Sequence, residues 1–394
     1  MGHRSRRFSV IMLVGVVSLV GAACSKSSKT STTSSTGASG GSGGCPSGLT
    51  IGFFGALTGN NSPQLGINEA DGVQLAIDQY NSGHSSCKVT YKAFDSQGDP
   101  AQAPGLAQSA VGNNNVVAII GPAFSGESKQ ADPIFNAGGL PTITASATNP
   151  SLATNGWKVF HRAVANDDAQ GPAIARFLTT TLKAKKVAVV DDASEYGKGL
   201  ADIVRMQLTT AGVSVTSPGS IDKSHNYPST VNAIKAAGVD AVVYGGYYQE
   251  AGPLALQLKN AGVNAAFISG DGSLDIGFVM GATNTGAEGA YLTAPAAYAL
   301  TAPEDQSFVM AYHAKFNTDP ALYSGEAYDA ANHVLAAIAA GKYTRADINT
   351  YISTVSYKGL LKTYSYAANG ELNGTPVILV HKVVGGKITL VGPA

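Results

Sequence analysis

The sequence predicts an α/β protein with doubly wound parallel sheets, arranged in more than one domain. Short apolar runs alternate with segments in which apolar residues recur at helical spacing, from residue 49 onward. The chain has 394 residues, which is longer than one hydrophobic core usually supports, so we expect two domains. With 44% hydrophobic and 13% charged residues, it is too apolar and too weakly charged for a disordered protein.

The first residues are typical of a bacterial export signal. Three arginines within the first seven residues precede the apolar stretch 8–23, which is shorter than the ~20 residues of a membrane-spanning helix. That stretch stops at Cys24, in a context that resembles a lipoprotein cleavage site; secretion without lipidation is the alternative. We expect residues 1–23 to be a signal peptide, and the Ser-, Thr- and Gly-rich residues 24–44 to be a flexible, lipid-anchored tether.

Two further cysteines each precede a predicted strand. Cys45 lies just before the apolar run 49–54, and Cys87 lies just before the alternating run 88–94. If these strands are parallel neighbours, both cysteines lie at the same edge of the sheet. Because disulfides persist in exported proteins, we expect a bond between them; two reduced thiols are the alternative.

The other elements follow in order, each from its periodicity. Residues 68–80 predict a helix, because Val73, Ala76, Ile77 and Tyr80 share one helical face. Further helices are predicted at residues 101–111, from about 125, and near 200–211, 228–237 and 252–261. Further strands are predicted at residues 116–120, 141–144, 187–190, 241–244 and 266–269. Two C-terminal strands, 377–384 and 387–391, flank the hairpin signal Gly385-Gly386.

Polar and small residues follow these strands at the edge where open α/β sheets bind ligands. Hydroxyls, phenols and one carboxylate gather there, with glycines that allow a ligand to approach the backbone. The segments concerned are residues 121–126, 145–148, 194–197, 245–248 and 270–272. Such an edge is suited to a small polar, zwitterionic molecule.

Four short stretches carry a resemblance to a known family. They are ATNP at 147–150, QGP at 170–172, EYGKGLA at 195–201 and VYGGYY at 243–248. In this order and spacing, the chain resembles the leucine/isoleucine/valine-binding proteins, which are the substrate receptors of branched-chain amino acid ABC importers. The resemblance runs from about Leu49 to the C-terminus.

The resemblance implies the periplasmic binding protein type I fold, in which two α/β lobes are joined by three crossover strands around a ligand cleft. We expect the crossovers near Ala165, Thr293 and Tyr364. Each lobe is then discontinuous in sequence. The N-terminal lobe comprises residues 45–165 and 294–363, and the C-terminal lobe comprises residues 166–293 and 364–394.

The resemblance also implies how a ligand carboxylate is bound. In the family, a serine after the third strand contacts the α-carboxylate together with nearby backbone amides. Those positions correspond to Ser125, and to Ala123 and Phe124 beside it. We expect Ser125 to cap the following helix, whose positive end favours a carboxylate.

The ligand ammonium is held in the family by a backbone carbonyl, a threonine hydroxyl and an acid. These correspond to Ser146, Thr148 and Asp271. Many relatives have Glu at the last position, and Asp is about one methylene shorter. The direct contact is therefore expected to need a closer approach of the lobes or a bridging water.

Three further positions complete the implied site. Tyr196 and Tyr247 of the second lobe are expected to close over the ligand, and Leu65 corresponds to an aromatic that lines the side-chain pocket of the leucine binders. Tyr248 is interpreted as a packing residue. Every assignment has a structural alternative: the serine as a helix cap, the threonine and aspartate as turn residues, and the two tyrosines as core aromatics.

Enzymatic interpretations fit the sequence poorly. Residues 40–44 match a nucleophile-elbow pattern formally, but they lie in the predicted tether. Residues 121–128 have P-loop glycine spacing, yet Glu127 stands where a phosphate-binding lysine is needed. The seven histidines lack zinc spacing, and the aspartate pairs at 167–168 and 191–192 are interpreted as surface or crossover residues. We expect no catalysis, no cofactor and no metal.

The expected function is that of an extracytoplasmic solute-binding lipoprotein on the outer face of the cell membrane. It captures a small amino acid, branched-chain or similarly aliphatic, by lobe closure and delivers it to an ABC permease. Lys and Arg together balance Asp and Glu at 26 each, so nucleic acid is not an expected partner, and the protein is expected to be a monomer. The alternative function is a sensor for an amino acid, amide or small aromatic acid on the same fold.

Overall fold

The computed structural model describes residues 44–394. The predicted signal peptide, Cys24 and nearly all of the tether lie outside the described residues. Within the described residues, none of the helices is both long enough and apolar enough to cross a bilayer.

The first lobe is built on a five-stranded sheet. Its strands lie in the order β2-β1-β3-β4-β5 and are parallel throughout. The elements of this part are β1 (Thr50–Gly55), α1 (Pro63–Gly83), β2 (Thr90–Asp95), α2 (Ala103–Gly112), β3 (Val116–Ile120), α3 (Ser125–Ala137), β4 (Thr142–Thr144) and β5 (Phe160–Arg162).

The second lobe is built on a sheet of seven strands. The elements that follow β5 in the chain are α4 (Asp167–Arg176), β6 (Lys186–Asp191), α5 (Glu195–Thr210), β7 (Ser214–Thr216), α6 (Pro228–Ala237), β8 (Ala241–Gly245), α7 (Tyr248–Asn260), β9 (Ala266–Ser269), α8 (Ile276–Ala287) and β10 (Tyr291–Ala294). Strands β7, β6, β8, β9 and β10 are adjacent in that order and parallel.

The C-terminal third of the chain contributes to both lobes. Its elements are α9 (Gln306–Phe316), α10 (Ser324–Ala339), α11 (Arg345–Thr354), β11 (Tyr357–Lys358), β12 (Thr363–Tyr364), β13 (Leu379–Val384) and β14 (Lys387–Pro393). Helices α9 and α10 pack on α1 of the first lobe, whereas β13 and β14 extend the second sheet as an antiparallel hairpin. The chain therefore passes between the lobes three times, after β5, after β10 and before β13.

The alternating pattern in the sequence is confirmed by these elements. Strands β3 and β9 and helix α6 have the predicted bounds, and the C-terminal hairpin turns at Gly385 and Gly386 as expected. Strands β5, β7, β10, β11 and β12 and helices α4 and α8 to α11 are additions to the predicted pattern. Strand β5 has the sequence Phe-His-Arg. Its three residues are buried, but two of them are polar, so the sequence did not indicate a buried strand. The predicted lobe boundaries stay predictions.

Apolar burial explains why the central strands form. Every residue of β1, β3 and β8 is buried, as expected for parallel strands covered by helices on both faces. Gly66 near the start of α1 allows that helix to approach β1, because a Cβ there would lie 1.9 Å from the carbonyl oxygen of Ala56. The start of α1 is thereby held against the end of β1.

The disulfide prediction is confirmed. Cys45 and Cys87 are bonded, with their Cα atoms 5.3 Å apart. Strands β1 and β2 are parallel neighbours, with Thr50 opposite Thr90, so the two cysteines precede adjacent strands as the sequence indicates. The bond lies at the amino ends of these strands, whereas the residues proposed to contact ligand follow the carboxyl ends of strands.

Candidate functional site

The predicted contact residues gather around one cavity at the carboxyl ends of strands from both lobes. This cavity contains about 270 Å³ of space unoccupied by atoms, part of it open to solvent. Eight of the nine predicted contacts line it, namely Leu65, Ala123, Phe124, Ser125, Ser146, Tyr196, Tyr247 and Asp271. Thr148 is buried just outside this lining, and its carbonyl accepts the backbone N–H of Asp167 at 2.9 Å.

The first-lobe wall comprises the start of α3 and the loop after β4. Ser125 and Ser146 are both buried there. The Ser146 hydroxyl donates to the carbonyl of Ala123 at 2.6 Å, so the two loops are joined directly beside the cavity. The backbone N–H groups at the start of α3 give this wall a partial positive charge, which favours a carboxylate.

The prediction that Ser125 caps α3 is wrong. The helix begins at Ser125 itself, and Phe124 occupies the capping position. The N–H of Phe124 donates to the carboxyl group of Glu127 at 3.3 Å, so that acid reaches back to the helix start. The Ser125 hydroxyl instead accepts the backbone N–H of Asn149 at 3.2 Å, because its side chain is directed toward the loop after β4.

A buried arginine holds the loop that carries Ser146 and Thr148. Arg162, at the end of β5, donates to the carbonyls of Ala147 at 2.7 Å and Asn149 at 3.0 Å. Its guanidinium also forms a two-point ion pair with Glu371, at 2.8 and 3.1 Å. This positioning group has no motif in the sequence, since Arg162 and Glu371 are 209 residues apart.

The second-lobe wall contains a connected network around Asp271. One carboxylate oxygen accepts from the Gln170 amide at 2.6 Å and from the Tyr196 hydroxyl at 2.8 Å. The other accepts from the hydroxyl of Tyr323 at 2.9 Å. Burial raises the pKa of Asp271 above its usual value, although these three donors act in the opposite direction. Burial, and then the charge of Asp271, raise the pKa of Tyr196 well above 10, so its phenol stays a neutral donor.

The sequence predicted Asp167 to be a surface or crossover residue, and its placement at the surface is wrong. Asp167 is completely buried at the start of α4, and the Gln170 amide donates to it at 3.1 Å. Burial, followed by the charge of Asp271, raises its pKa. The nearby Thr148 hydroxyl acts to lower it, but that hydroxyl makes no hydrogen bond of normal geometry with any described residue. Asp191 is buried as well, paired with Arg205 at 2.6 Å.

Aromatic side chains connect the two walls. The ring of Tyr247 packs edge-on against Phe124, with centroids 5.3 Å apart, and lies 5.3 Å from the ring of Tyr196. Phe124 belongs to the first lobe and the two tyrosines to the second, so this contact depends on the approach of the lobes. Tyr248 packs in the hydrophobic core, in agreement with its interpretation.

Two cavity-lining residues escaped the sequence analysis. Glu69 lies one helical turn after Leu65 on α1, a spacing that places both side chains on one face. Tyr323 precedes α10 and reaches the cavity from a part of the chain without a recognised motif. The four-residue spacing from Leu65 could therefore have predicted that Glu69 lines the cavity, whereas no motif near Tyr323 indicated its position.

The site combines binding groups for opposite charges. Backbone amides and serine hydroxyls on the first wall can donate to a carboxylate. The carboxyl groups of Asp271 and Asp167 and the hydroxyl of Thr148 can accept hydrogen bonds from an ammonium. A small zwitterion would satisfy both sets at once.

Sequence comparisons identify similar proteins. Residues 48–386 match the family described as periplasmic binding protein. The chain is 32% identical over 279 residues to the leucine-, isoleucine-, valine-, threonine- and alanine-binding protein of Pseudomonas aeruginosa, covering 69% of this chain and 72% of that protein. It is 31% identical to a Leu/Ile/Val-binding protein of Rhizobium johnstonii, covering 74% of this chain and 78% of that one.

Solved structures agree with the sequence comparisons. The substrate-binding protein LivJ of Streptococcus pneumoniae, a branched-chain amino acid transporter component in complex with isoleucine, superposes with a TM-score of 0.79 at 26% identity. The superposition covers 88% of this chain and 99% of that one. The leucine-binding protein LivK of Thermotoga maritima superposes with a TM-score of 0.80 at 24% identity over 88% of this chain and 98% of that one, which supports the fold.

Proposed function

The chain belongs to the periplasmic binding protein family, and from this premise we propose that it captures a small α-amino acid between its two lobes. The observation that carries the proposal is the opposition of the two walls. Ser125, Ser146 and the start of α3 lie on one side of the cavity, and Asp271 with its hydrogen-bonded tyrosine lies on the other.

The proposed head-group contacts follow from charge. The ligand carboxylate binds at the start of α3, where the Ser125 hydroxyl and the backbone amides beside it donate. The ligand ammonium is directed toward Asp271, where it donates to the carboxylate together with the Gln170 amide. Tyr323 approaches Asp271 from the first-lobe side at 2.9 Å, which supports the closer approach of the lobes that the shorter Asp side chain needs.

Lobe closure is the proposed mechanism. Ligand contacts from both lobes exist together only when the lobes approach each other, so ligand shifts the population toward the closed state. Interlobe contacts support this closure: the Asn149 amide donates to the carbonyl of Glu195 at 2.7 Å, and Lys129 pairs with Glu195 at 2.8 Å. A permease that recognises the closed pair of lobes can then disregard empty receptor.

We further propose export and anchoring. The N-terminal sequence supports cleavage before Cys24, lipid attachment to that cysteine, and tethering to the outer face of the membrane near an ABC permease. Metabolic labelling with a radioactive fatty acid tests this proposal. Label should be incorporated into the wild type and be absent from Cys24→Ser; equal labelling of both proteins would contradict anchoring at Cys24.

The experiment that tests the capture proposal is a thermal-shift panel of the natural amino acids. A true ligand at 100 times its dissociation constant should add about 2.7 kcal/mol to the free energy of unfolding. A family of related small amino acids should raise the melting temperature, and their D-enantiomers should not. A panel in which no amino acid produces a shift would contradict the proposal.

A further inference from the structure

One acidic side chain in the cavity forms no hydrogen bond of normal geometry with any described residue. Glu69 is completely buried and lines the cavity, and neither of its carboxyl oxygens accepts or donates a hydrogen bond within residues 44–394. The Ser146 hydroxyl lies nearby, but its proton is directed to the carbonyl of Ala123 at 2.6 Å. Buried polar groups are nearly always hydrogen-bonded, so an unpaired carboxyl group facing a cavity indicates a ligand group.

The surroundings of Glu69 favour its protonated form. Its pKa is raised to about 8, first by burial and then by the charges of Glu127 and Glu326, while the Ser146 hydroxyl acts in the opposite direction. A protonated carboxyl group can donate one hydrogen bond and accept another, which suits a ligand hydroxyl. Glu69 and Ser146 together make this part of the cavity polar.

The position of Glu69 relates it to the ligand side chain. It lies one turn from Leu65, the residue assigned to the side-chain pocket by resemblance, and both face the same small cavity of about 270 Å³. Head-group contacts are supplied elsewhere, by Ser125 and by Asp271. Glu69 is therefore free to contact what distinguishes one amino acid from another.

We propose that Glu69 determines side-chain specificity, and that the preferred ligand is a small amino acid with a hydroxyl in its side chain rather than a purely aliphatic one. This inference rests on the proposed amino acid capture and deepens it. An aliphatic side chain leaves the buried carboxyl group of Glu69 unpaired in the closed state. A hydroxyl pairs with it, and one such hydrogen bond corresponds to about tenfold to a hundredfold in affinity.

Threonine and valine provide the test, because they are nearly equal in size and differ by hydroxyl against methyl. Calorimetry should show that the wild type binds threonine at least tenfold more tightly than valine. Glu69→Leu should lose that preference or reverse it, because the apolar side chain favours valine. Glu69→Gln should keep a preference for threonine, since its amide still donates and accepts.

Asp132 supplies a matched control. It is also completely buried, and both of its carboxyl oxygens lack a partner among the described residues, yet it does not line the cavity. Asp132→Leu therefore removes a comparable buried acid and should leave the threonine-to-valine ratio at its wild-type value. A shift of the ratio in Glu69→Leu but not in Asp132→Leu supports the inference.

The results that would contradict the inference about Glu69 differ from those that would contradict amino acid capture. If the wild type binds threonine and valine equally, or if Glu69→Leu keeps the wild-type ratio, Glu69 is a structural acid and the inference is wrong while amino acid capture stands. If no amino acid binds the wild type at all, the capture proposal itself is wrong. The wild-type ratio decides the matter even if Glu69→Leu does not fold.

Discussion

Asp271 and Glu69, on opposite walls of the cleft, differ in how their carboxyl groups are satisfied. On the second-lobe wall, Asp271 accepts hydrogen bonds from Gln170, Tyr196 and Tyr323, and the Tyr196 hydroxyl in turn accepts the N–H of Gly272 at 3.0 Å. On the first-lobe side, both carboxyl oxygens of Glu69 and the hydroxyl of Thr148 have no partner among the described residues.

This difference separates two tasks. A fully connected carboxylate is held in a fixed position, which suits a charge contact common to all α-amino acids. Unpaired buried groups disfavour any ligand that leaves them unpaired, which suits discrimination between ligands. We infer that Asp271 on the second-lobe wall supplies a common ammonium contact, whereas Glu69 on the first-lobe side selects between ligand side chains.

The largest effect is expected for Asp271→Asn. Asparagine keeps the size of the side chain but removes the charge, so a buried ammonium loses its partner at a cost of about 3–5 kcal/mol. Calorimetry should show all accepted amino acids weakened by a similar factor of about a hundred or more. Asp168→Asn, a change of equal charge at an exposed position on α4, should bind as the wild type does. Selective weakening of one amino acid would show that the second-lobe wall also discriminates.

Removal of the disulfide should affect stability without affecting selection. Loss of a cross-link that closes a loop with a sequence separation of 42 costs about 4 kcal/mol on the chain-entropy account. Chemical denaturation of the Cys45→Ser/Cys87→Ser double variant should show that loss. Its affinities should match the wild type, because the bond lies at the amino ends of β1 and β2. A change in relative affinities would mean that the first-lobe wall depends on this bond.

Thr148→Val should weaken binding by about tenfold to a hundredfold, since one hydrogen bond to a charged group contributes about 1.5–3 kcal/mol. Valine replaces the hydroxyl with a methyl group of similar size, so packing changes little. Thr142→Val in β4 is the matched control, because that hydroxyl already donates at 3.4 Å to the carbonyl of Val159, whereas the Thr148 hydroxyl has no partner among the described residues. If Thr148→Val and the wild type bind with equal affinity, Thr148 is a turn residue that does not contact the ligand.

The last expected effect is a pH dependence of stability from Glu127, beneath the first-lobe wall. Burial raises its pKa to about 8, with the hydrogen bonds from Ser96 and Phe124 opposing. The folded state therefore keeps a proton that the unfolded state releases above about pH 4.5. This contribution is complete below pH 4.5 and is lost as the pH rises toward 8, by about 1.4 kcal/mol per pH unit.

The window from pH 6.5 to 8 separates this effect from the buried histidines. Glu69, Asp167 and Glu250, whose pKa values are also raised by burial to about 7–8, contribute there in both proteins, so the difference between Glu127→Gln and the wild type reports Glu127. Burial lowers the pKa of His161, His333 and His381 to about 4, and their opposite contribution is confined to pH values below about 6.5. Denaturation across this window should show a shallower fall in stability for Glu127→Gln than for the wild type. Parallel curves would mean that Glu127 is ionised in the folded protein.

The sequence predicted the architecture well because burial and local periodicity determine it. Strand β3 is a continuous apolar run, and α6 begins at a proline and ends at Gly238 in a left-handed conformation, so both were visible locally. Strand β5 was missed because the burial of Arg162 depends on Glu371, far along the chain.

The sequence predicted those site residues that directly follow a predicted strand. Ser125, Ser146, Tyr196, Tyr247 and Asp271 all follow strands, and the cavity brings them together. The capping role of Ser125 was wrong because Glu127 binds the helix start instead, and the surface assignment of Asp167 failed because residues from a distant segment bury it. Glu69 reaches the cavity from α1, where periodicity indicates burial but not what the buried side chain faces, and Tyr323 reaches it from the turn before α10, which has no periodicity.

The central claim, recognition of a zwitterion by two opposed walls, is tested most directly by calorimetry on head-group analogues. The amino acid that binds best should be compared with its deaminated and decarboxylated forms, which for valine are 3-methylbutanoate and isobutylamine. Both analogues should bind at least a hundredfold more weakly than the parent amino acid. The deaminated analogue should bind Asp271→Asn with the same affinity as the wild type. An acid that binds the wild type as tightly as its parent amino acid would contradict the account.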